Sequence, residues 1–251
     1  MPVFQRQIIA TLLLWGLSLC AQAKTLRLVT EAWPPYVFEQ EGQPAGLDYE
    51  VTREVLKRLN IDLQLQFMPW KRCLLAMDQD LADGILDIFR KPEREAHMQF
   101  VDEPLSDIEF VLFFARSRPF PFRDLADLHG RVIGTSPGYW YHNDAFQTSS
   151  AFILEEAPTH EANFGKLVRH RIDLVVNDRR TGLMLSQQMG LETEIGYNAT
   201  VLGRDRLFLA LRKTPELRQM AGAFARELRR FKTEPSYQRL RQRYLESLEH
   251  P

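Results

Sequence analysis

Residues 171–178 read Arg171-Ile172-Asp173-Leu174-Val175-Val176-Asn177-Asp178, an apolar run with an aspartate near each end. A short run of Leu and Val without alternation is the pattern of a strand covered on both faces. On either side the period changes: Ala162 to Arg169 and Thr181 to Met189 space their apolar residues as helices do. A strand at Asp173 to Asn177 between two helices is the repeating unit of a parallel α/β sheet. Asp178 then stands at the strand end and ahead of the next helix, an N-cap position.

Moving outward from this unit, Gly130 to Gly134 reads as a preceding strand, and the first half of the chain carries an earlier series of the same kind. Leu26 to Thr30 is β-rich, Asp48 to Leu59 has helical spacing (Val51, Val55, Leu56, Leu59) with Asp48 as its expected N-cap, and Ile61 to Phe67 alternates as a strand. Trp70 to Leu81 is helical, Gly84 to Phe89 is a strand, and Phe110 to Ala115 is apolar throughout. The restart at Gly130 predicts two lobes. The breaks fall at Arg116 to Pro121 and around Ala199 to Arg206. Leu207 to Leu211 is a strand without a partner in the second series, so the chain returns to the first lobe there. Two amphipathic helices separated near Pro235 follow from Thr214. The expected division is 24–115 with 204–251 as lobe 1 and 116–203 as lobe 2. Ligands of open α/β sheets bind beyond the carboxyl ends of strands, at helix N-termini, so facing lobes define a cleft.

The N-terminus reads as an export signal. Arg6, the apolar stretch Ile8 to Leu19 and the small residues of Ala21-Gln22-Ala23 have its three-part layout. The apolar stretch is shorter than the about 20 residues needed to cross a membrane. Residues 1–23 are expected to be removed, leaving a protein in the periplasm that begins at Lys24. Acylation of Cys20 is disfavoured because Leu19 stands where such sites need a small residue. Cys73 is then the sole mature cysteine, so no internal disulfide forms and the fold depends on its core. Of the 32 Lys and Arg and 33 Asp and Glu, only Arg6 lies in the signal, which leaves the mature chain a net charge of about −2. No basic field favours nucleic acid, and no basic amphipathic helix favours a membrane surface.

Arg94 in Pro92-Glu93-Arg94 and Asp178 are a base and an acid delivered to strand ends by different halves of the chain. Arg offers a planar fork that matches a carboxylate bidentately, and an aspartate meets an ammonium without proton transfer. Trp33-Pro34-Pro35-Tyr36, Gly46-Leu47-Asp48, Pro92-Glu93-Arg94 with Phe100 and Asp102, Gly134 to Gly138, and Arg171 to Asp178 follow in an order and spacing that resembles the family 3 bacterial extracellular solute-binding proteins. That family supplies the periplasmic amino-acid receptors of ABC importers. The resemblance implies a two-lobed periplasmic binding protein fold (type II) closing on one amino acid and passing it to a membrane permease, with Arg94 at the ligand carboxylate and Asp178 at its ammonium. A monomer without cofactor or metal is expected.

Further candidates line the same cleft. Trp33 and Tyr36 occupy the loop where the family places an aromatic platform, stiffened by two prolines, with Glu31 beside them as a partner for a cationic group. Trp70 and Arg72 flank Lys71 before a helix, and a tryptophan face with a guanidinium suits a charged ligand. Phe89 closes its strand. Gly138-Tyr139-Trp140 stands where the family has glycine followed by small hydroxyl residues, and the two aromatics would shrink the pocket or add stacking surface. The run Asp87-Ile88-Phe89-Arg90-Lys91 lacks the hydroxyls that family receptors carry ahead of the arginine.

Enzymatic readings are weaker. Gly134-Thr135-Ser136-Pro137-Gly138 fits the pattern of a nucleophile elbow, but Pro137 has no N–H for an oxyanion hole. The histidines show no ligand spacing, and Cys73 reads as a core residue. A dehydratase acting on prephenate or arogenate, with Glu31 or Asp87 as general acid, is one alternative on this fold. A periplasmic sensor docking on a signalling partner is another.

Overall fold

The computed structural model describes residues 24–246 and Leu248; the expected signal at 1–23, with Cys20, lies outside them. Strand β1 (Lys24–Thr30) pairs in parallel with β4 (Ile61–Phe67) on one side and β5 (Gly84–Phe89) on the other. The alternating Ile61-Asp62-Leu63-Gln64-Leu65 sequence suits β4 to the sheet edge, and the unbroken apolar surroundings of Gly84-Ile85-Leu86 suit β5 to its interior. Helix α1 (Leu47–Arg58) packs on this sheet through Leu47, Val51, Val55 and Leu56, and α2 (Trp70–Asp78) covers the opposite side through Cys73, Ala76 and Met77.

Two ten-residue strands connect this sheet to the second lobe: β7 (Ser106–Ala115) and β12 (Gly203–Arg212). They are antiparallel over Ser106–Phe110 and Gly203–Leu207; beyond that β12 joins β5, while β7 runs on to pair with β10 (Leu174–Asp178) and β11 (Ile195–Tyr197). The return of Leu207–Leu211 to the first series is therefore direct strand pairing with Phe89–Gly84. β7 ends at Ala115, directly ahead of Arg116 to Pro121. Beyond β10 come β8 (Val132–Thr135) and β9 (Ile153–Glu156), both parallel, with α5 (His160–Val168) and α6 (Arg179–Gln188) as crossovers. The series is parallel within each lobe and antiparallel where the lobes join.

Several short elements have no periodic signal: the hairpin β2 (Phe38–Gln40) and β3 (Gln43–Ala45), strand β6 (Met98–Phe100), and the helices α3 (Pro92–His97) and α4 (Asp144–Thr148). The C-terminal helices are α7 (Pro215–Lys232) and α8 (Pro235–Arg241). α7 starts on the Thr214 hydroxyl and buries Leu217, Met220, Ala221, Phe224, Leu228 and Phe231, a spacing of three and four residues that makes one stripe. Asp48 corrects its expected role. The N-cap of α1 is Gly46, and Asp48 sits inside the helix, fully buried. Gly46 is required there because a Cβ would lie 2.3 Å from the Tyr36 carbonyl oxygen at φ +115°.

Candidate functional site

The Trp33-Pro34-Pro35-Tyr36 loop is fixed by its own backbone and by α1. Trp33 N–H donates to Val37 O at 2.6 Å and Tyr36 N–H to Trp33 O at 2.9 Å, and the first α1 amides, of Leu47 and Asp48, donate to the Pro35 and Tyr36 carbonyls. Those helix donors are satisfied by protein, and the Trp33 ring is held edge-on to Phe89 at 5.4 Å. The Glu31 carboxylate accepts the Trp70 N–H at the start of α2 (3.1 Å) and the Tyr139 hydroxyl from the second lobe (3.2 Å). Burial raises its pKa, and these two donors oppose the rise.

Arg94 lies on α3, whose Pro92 start follows β5 directly. Its guanidinium donates one hydrogen bond to Phe89 O at 3.0 Å and lies 5.2 Å from the Trp70 ring centre. It has no carboxylate partner among the described residues. Burial lowers its pKa, against the more distant negative charges of Asp205 and Glu93. A small chamber of about 20 Å³ opens beside it, lined by Thr30, Glu31, Trp33, Trp70, Asp87, Phe89, Arg94, Gly138 and Tyr139. Gly138, at φ +74°, brings its backbone against Trp70; a Cβ there would stand 3.6 Å from the ring.

Past Glu31, Trp70 and Tyr139 the chamber gives way to a cleft of about 550 Å³ walled by Pro34, Phe38, Pro69, Pro137, Pro158, His160 and Leu185. Seven of the residues singled out from sequence thus surround one chamber: Glu31, Trp33, Trp70, Phe89, Arg94, Gly138 and Tyr139. Four do not. Tyr36 is fully buried behind the loop. Arg72 is exposed and lines neither cavity. Trp140 stacks on His142 with ring centres 3.8 Å apart and meets the Lys91 ammonium at 4.4 Å, forming a separate contact between the lobes.

Asp178 is the fourth. It caps α6, accepting the Thr181 N–H (3.0 Å) and hydroxyl (3.1 Å), and it also accepts the Glu109 N–H and the Tyr36 hydroxyl, each at 3.1 Å. Burial raises its pKa, and these hydrogen bonds with the positive charge of Arg180 oppose that. Asp178 is thus fully buried and already engaged by donors from both lobes.

Two arrangements escaped sequence reasoning, the setting of His160 and the pairing of Asp48 with Asp87. His160 has no motif around it, yet its ring meets Tyr139, Ser136 and Asn177. Asp48 and Asp87, 39 positions apart and both buried, hydrogen-bond to each other, and Ser106 donates to Asp48 at 2.5 Å. Without a proton neither Asp87 oxygen has a donor, so the pair shares one; burial raises both pKa values, and the Asp48 carboxylate raises that of Asp87 further while the hydrogen bond with Asp87 lowers that of Asp48. Asp87 is thereby engaged within the first lobe, at φ +61°.

Residues 26–247 match the bacterial extracellular solute-binding proteins, family 3. The chain belongs to this family. The family is one of solute-binding proteins, which favours binding over the dehydratase alternative. Among solved structures the chain is similar to a mutant of ArgBP from T. maritima (21% identity, 88% of this chain and 95% of that one, TM-score 0.77). It is also similar to a histidine kinase sensor domain with similarity to periplasmic binding proteins (21%, 89% and 96%, 0.78), and to the substrate-binding protein of an amino acid ABC transporter (17%, 88% and 99%, 0.74). These likenesses establish the two-lobed fold. No curated protein matches the sequence. Among the described residues no helix is long and apolar enough to cross a membrane, and no group of side chains is arranged to hold a metal.

Proposed function

We propose that this protein is a periplasmic receptor that captures an amino acid or similar small carboxylate between its lobes and delivers it to an ABC-type permease. The observation that carries this reading is Arg94: a partly buried guanidinium, held in place by Phe89 O and the Trp70 face, with no acidic partner among the described residues and open toward an aromatic-walled chamber. A cation so placed is stabilised by an incoming carboxylate, which its fork meets bidentately. For the ligand ammonium, Glu31 is the better placed acceptor, since its carboxylate borders both cavities, whereas Asp178 is committed to Tyr36, Thr181 and Arg180. With β7 and β12 as the hinge, the moving bodies are 24–115 with 204–251 and 116–203.

Calorimetry on the mature protein across amino acids and organic acids tests the reading. Arg94→Ala should weaken binding of any ligand found by roughly 2–5 kcal/mol, because a partly desolvated carboxylate loses its partner. Equal affinity in parent and variant removes Arg94 from the site. The sensor alternative rests on the same closure and the same Arg94, and the kind of membrane protein that captures the closed form separates it from transport.

A further inference from the structure

The Glu31–Tyr139–His160 contacts can be read with their protons in place. Asn177 Oδ1 accepts the Asp178 N–H at 2.9 Å, so the Asn177 amide nitrogen is the group that faces His160 Nδ1 at 3.3 Å. Nδ1 is therefore an acceptor, and the ring carries its proton on Nε2. Enclosure of the ring lowers the His160 pKa to about 4, so it is neutral near pH 7. Nε2–H donates to the Tyr139 oxygen (3.4 Å), and the Tyr139 hydroxyl donates to Glu31 (3.2 Å). The result is one directed chain from the second lobe to the first, with Tyr139 as its movable link.

Tyr139 is also the partition between the two cavities. The chamber at Arg94, about 20 Å³, is room for little more than a water, which needs about 10–15 Å³ on the same measure. Even glycine requires a wall to move. Trp33 and Phe89 are core residues, 5% exposed and packed on each other, and Trp70 is held by Arg94 and by its own N–H on Glu31. Tyr139 sits in a loop after Gly138 outside any helix or strand, its ring against Trp33 at 5.4 Å, His160 at 5.6 Å and Tyr141 at 6.3 Å, and its N–H on Ser136 O at 3.2 Å. Behind it the exposed lining of the cleft of about 550 Å³ is mostly apolar, with four prolines, Phe38 and Leu185 beside the polar Lys71, Glu161 and Gln188, a surface that accepts an apolar body.

We propose that Tyr139 is a gate and that the ligand is a carboxylate bearing an apolar or aromatic tail, anchored at Arg94 and running past the displaced Tyr139 into the proline-walled cleft. This rests on the carboxylate reading of Arg94. A short ligand displaces the phenol without filling the space behind it; a long one buries its tail against Pro34, Pro69, Pro137 and Leu185. Affinity therefore rises with tail length.

The test is calorimetry of the mature protein with glycine, L-alanine, L-norvaline, L-norleucine, L-2-aminooctanoate and L-phenylalanine. Each added methylene should tighten binding about fourfold. Tyr139→Phe keeps the ring and removes the hydroxyl, which takes one of two donors from Glu31 and the acceptor from His160 Nε2–H before binding; every long-tailed member should then bind about fivefold tighter. Affinity independent of length in the parent overturns the gate without recourse to any variant, and if Arg94→Ala still abolishes that binding the carboxylate reading stands. Binding by none of the six overturns the gate and also counts against the carboxylate reading. Tyr139→Phe binding the long members no better than the parent overturns the latch.

Discussion

Replacing Asp178 by alanine separates a structural aspartate from a ligand-binding one. In the native fold its two oxygens accept from Thr181 N, Thr181 Oγ1, Glu109 N and Tyr36 Oη. Loss of the α6 N-cap costs about 1 kcal/mol. The Glu109 amide and the Tyr36 hydroxyl are then left without acceptors in a buried setting, at about 1–3 kcal/mol each. Relief of the buried charge offsets part of this, as the raised pKa of Asp178 indicates. The net loss should be about 3 kcal/mol, which with a urea m value of about 3 kcal/mol/M lowers the unfolding midpoint by about 1 M. Asp178→Asn keeps an acceptor for Thr181 N–H but turns an amide nitrogen toward other donors, and should lose about half as much. Urea titration followed by far-UV circular dichroism and by tryptophan fluorescence measures both. A loss under about 0.5 kcal/mol for the alanine variant would mean that Asp178 is solvated and unengaged, and would return it to the ligand site.

Two further expectations concern the scaffold. In Gly182→Ala the new Cβ would fall 2.0 Å from Phe113 Cζ, so α6 must lift from β7 and stability should fall by about 1–3 kcal/mol; an unchanged melting temperature would show that the helix does not pack so closely. Burial alone would raise the Asp83 pKa, but hydrogen bonds from Arg27 and Arg212 overcome it and hold it at about 2 against an ordinary 3.8. A depressed folded pKa adds stability that is present above about pH 4 and lost as pH falls toward 2. Asp83→Asn should therefore cost about 1–2 kcal/mol at pH 7 after solvent screening, with the difference from the parent vanishing near pH 2; a gap that persists at pH 2 would assign the effect to packing.

The principal strands and helices were legible because each buries a face with its own period. Ile61–Phe67 and Gly84–Phe89 carry strand patterns, the stripe of α7 recurs every three to four residues, and the restart at Gly130 announces a second lobe. The short α3 and the β2–β3 hairpin were not, because segments of three to six residues complete no period. Arg94 stood out for its chemistry, a guanidinium beyond a strand end, and the structure places it beside the chamber. Asp178 shows the limit of that reasoning, since an acid at a strand end serves equally as cap or ligand group, and which it does depends on whether Tyr36, 142 positions earlier, donates to it. The sequence by itself determined the two lobes and the charged groups at their strand ends. Only the tertiary structure brought Glu31, Tyr139 and His160 into one hydrogen-bonded chain, because contacts between lobes depend on how β7 and β12 set one sheet against the other, and that orientation leaves no periodic trace in the chain.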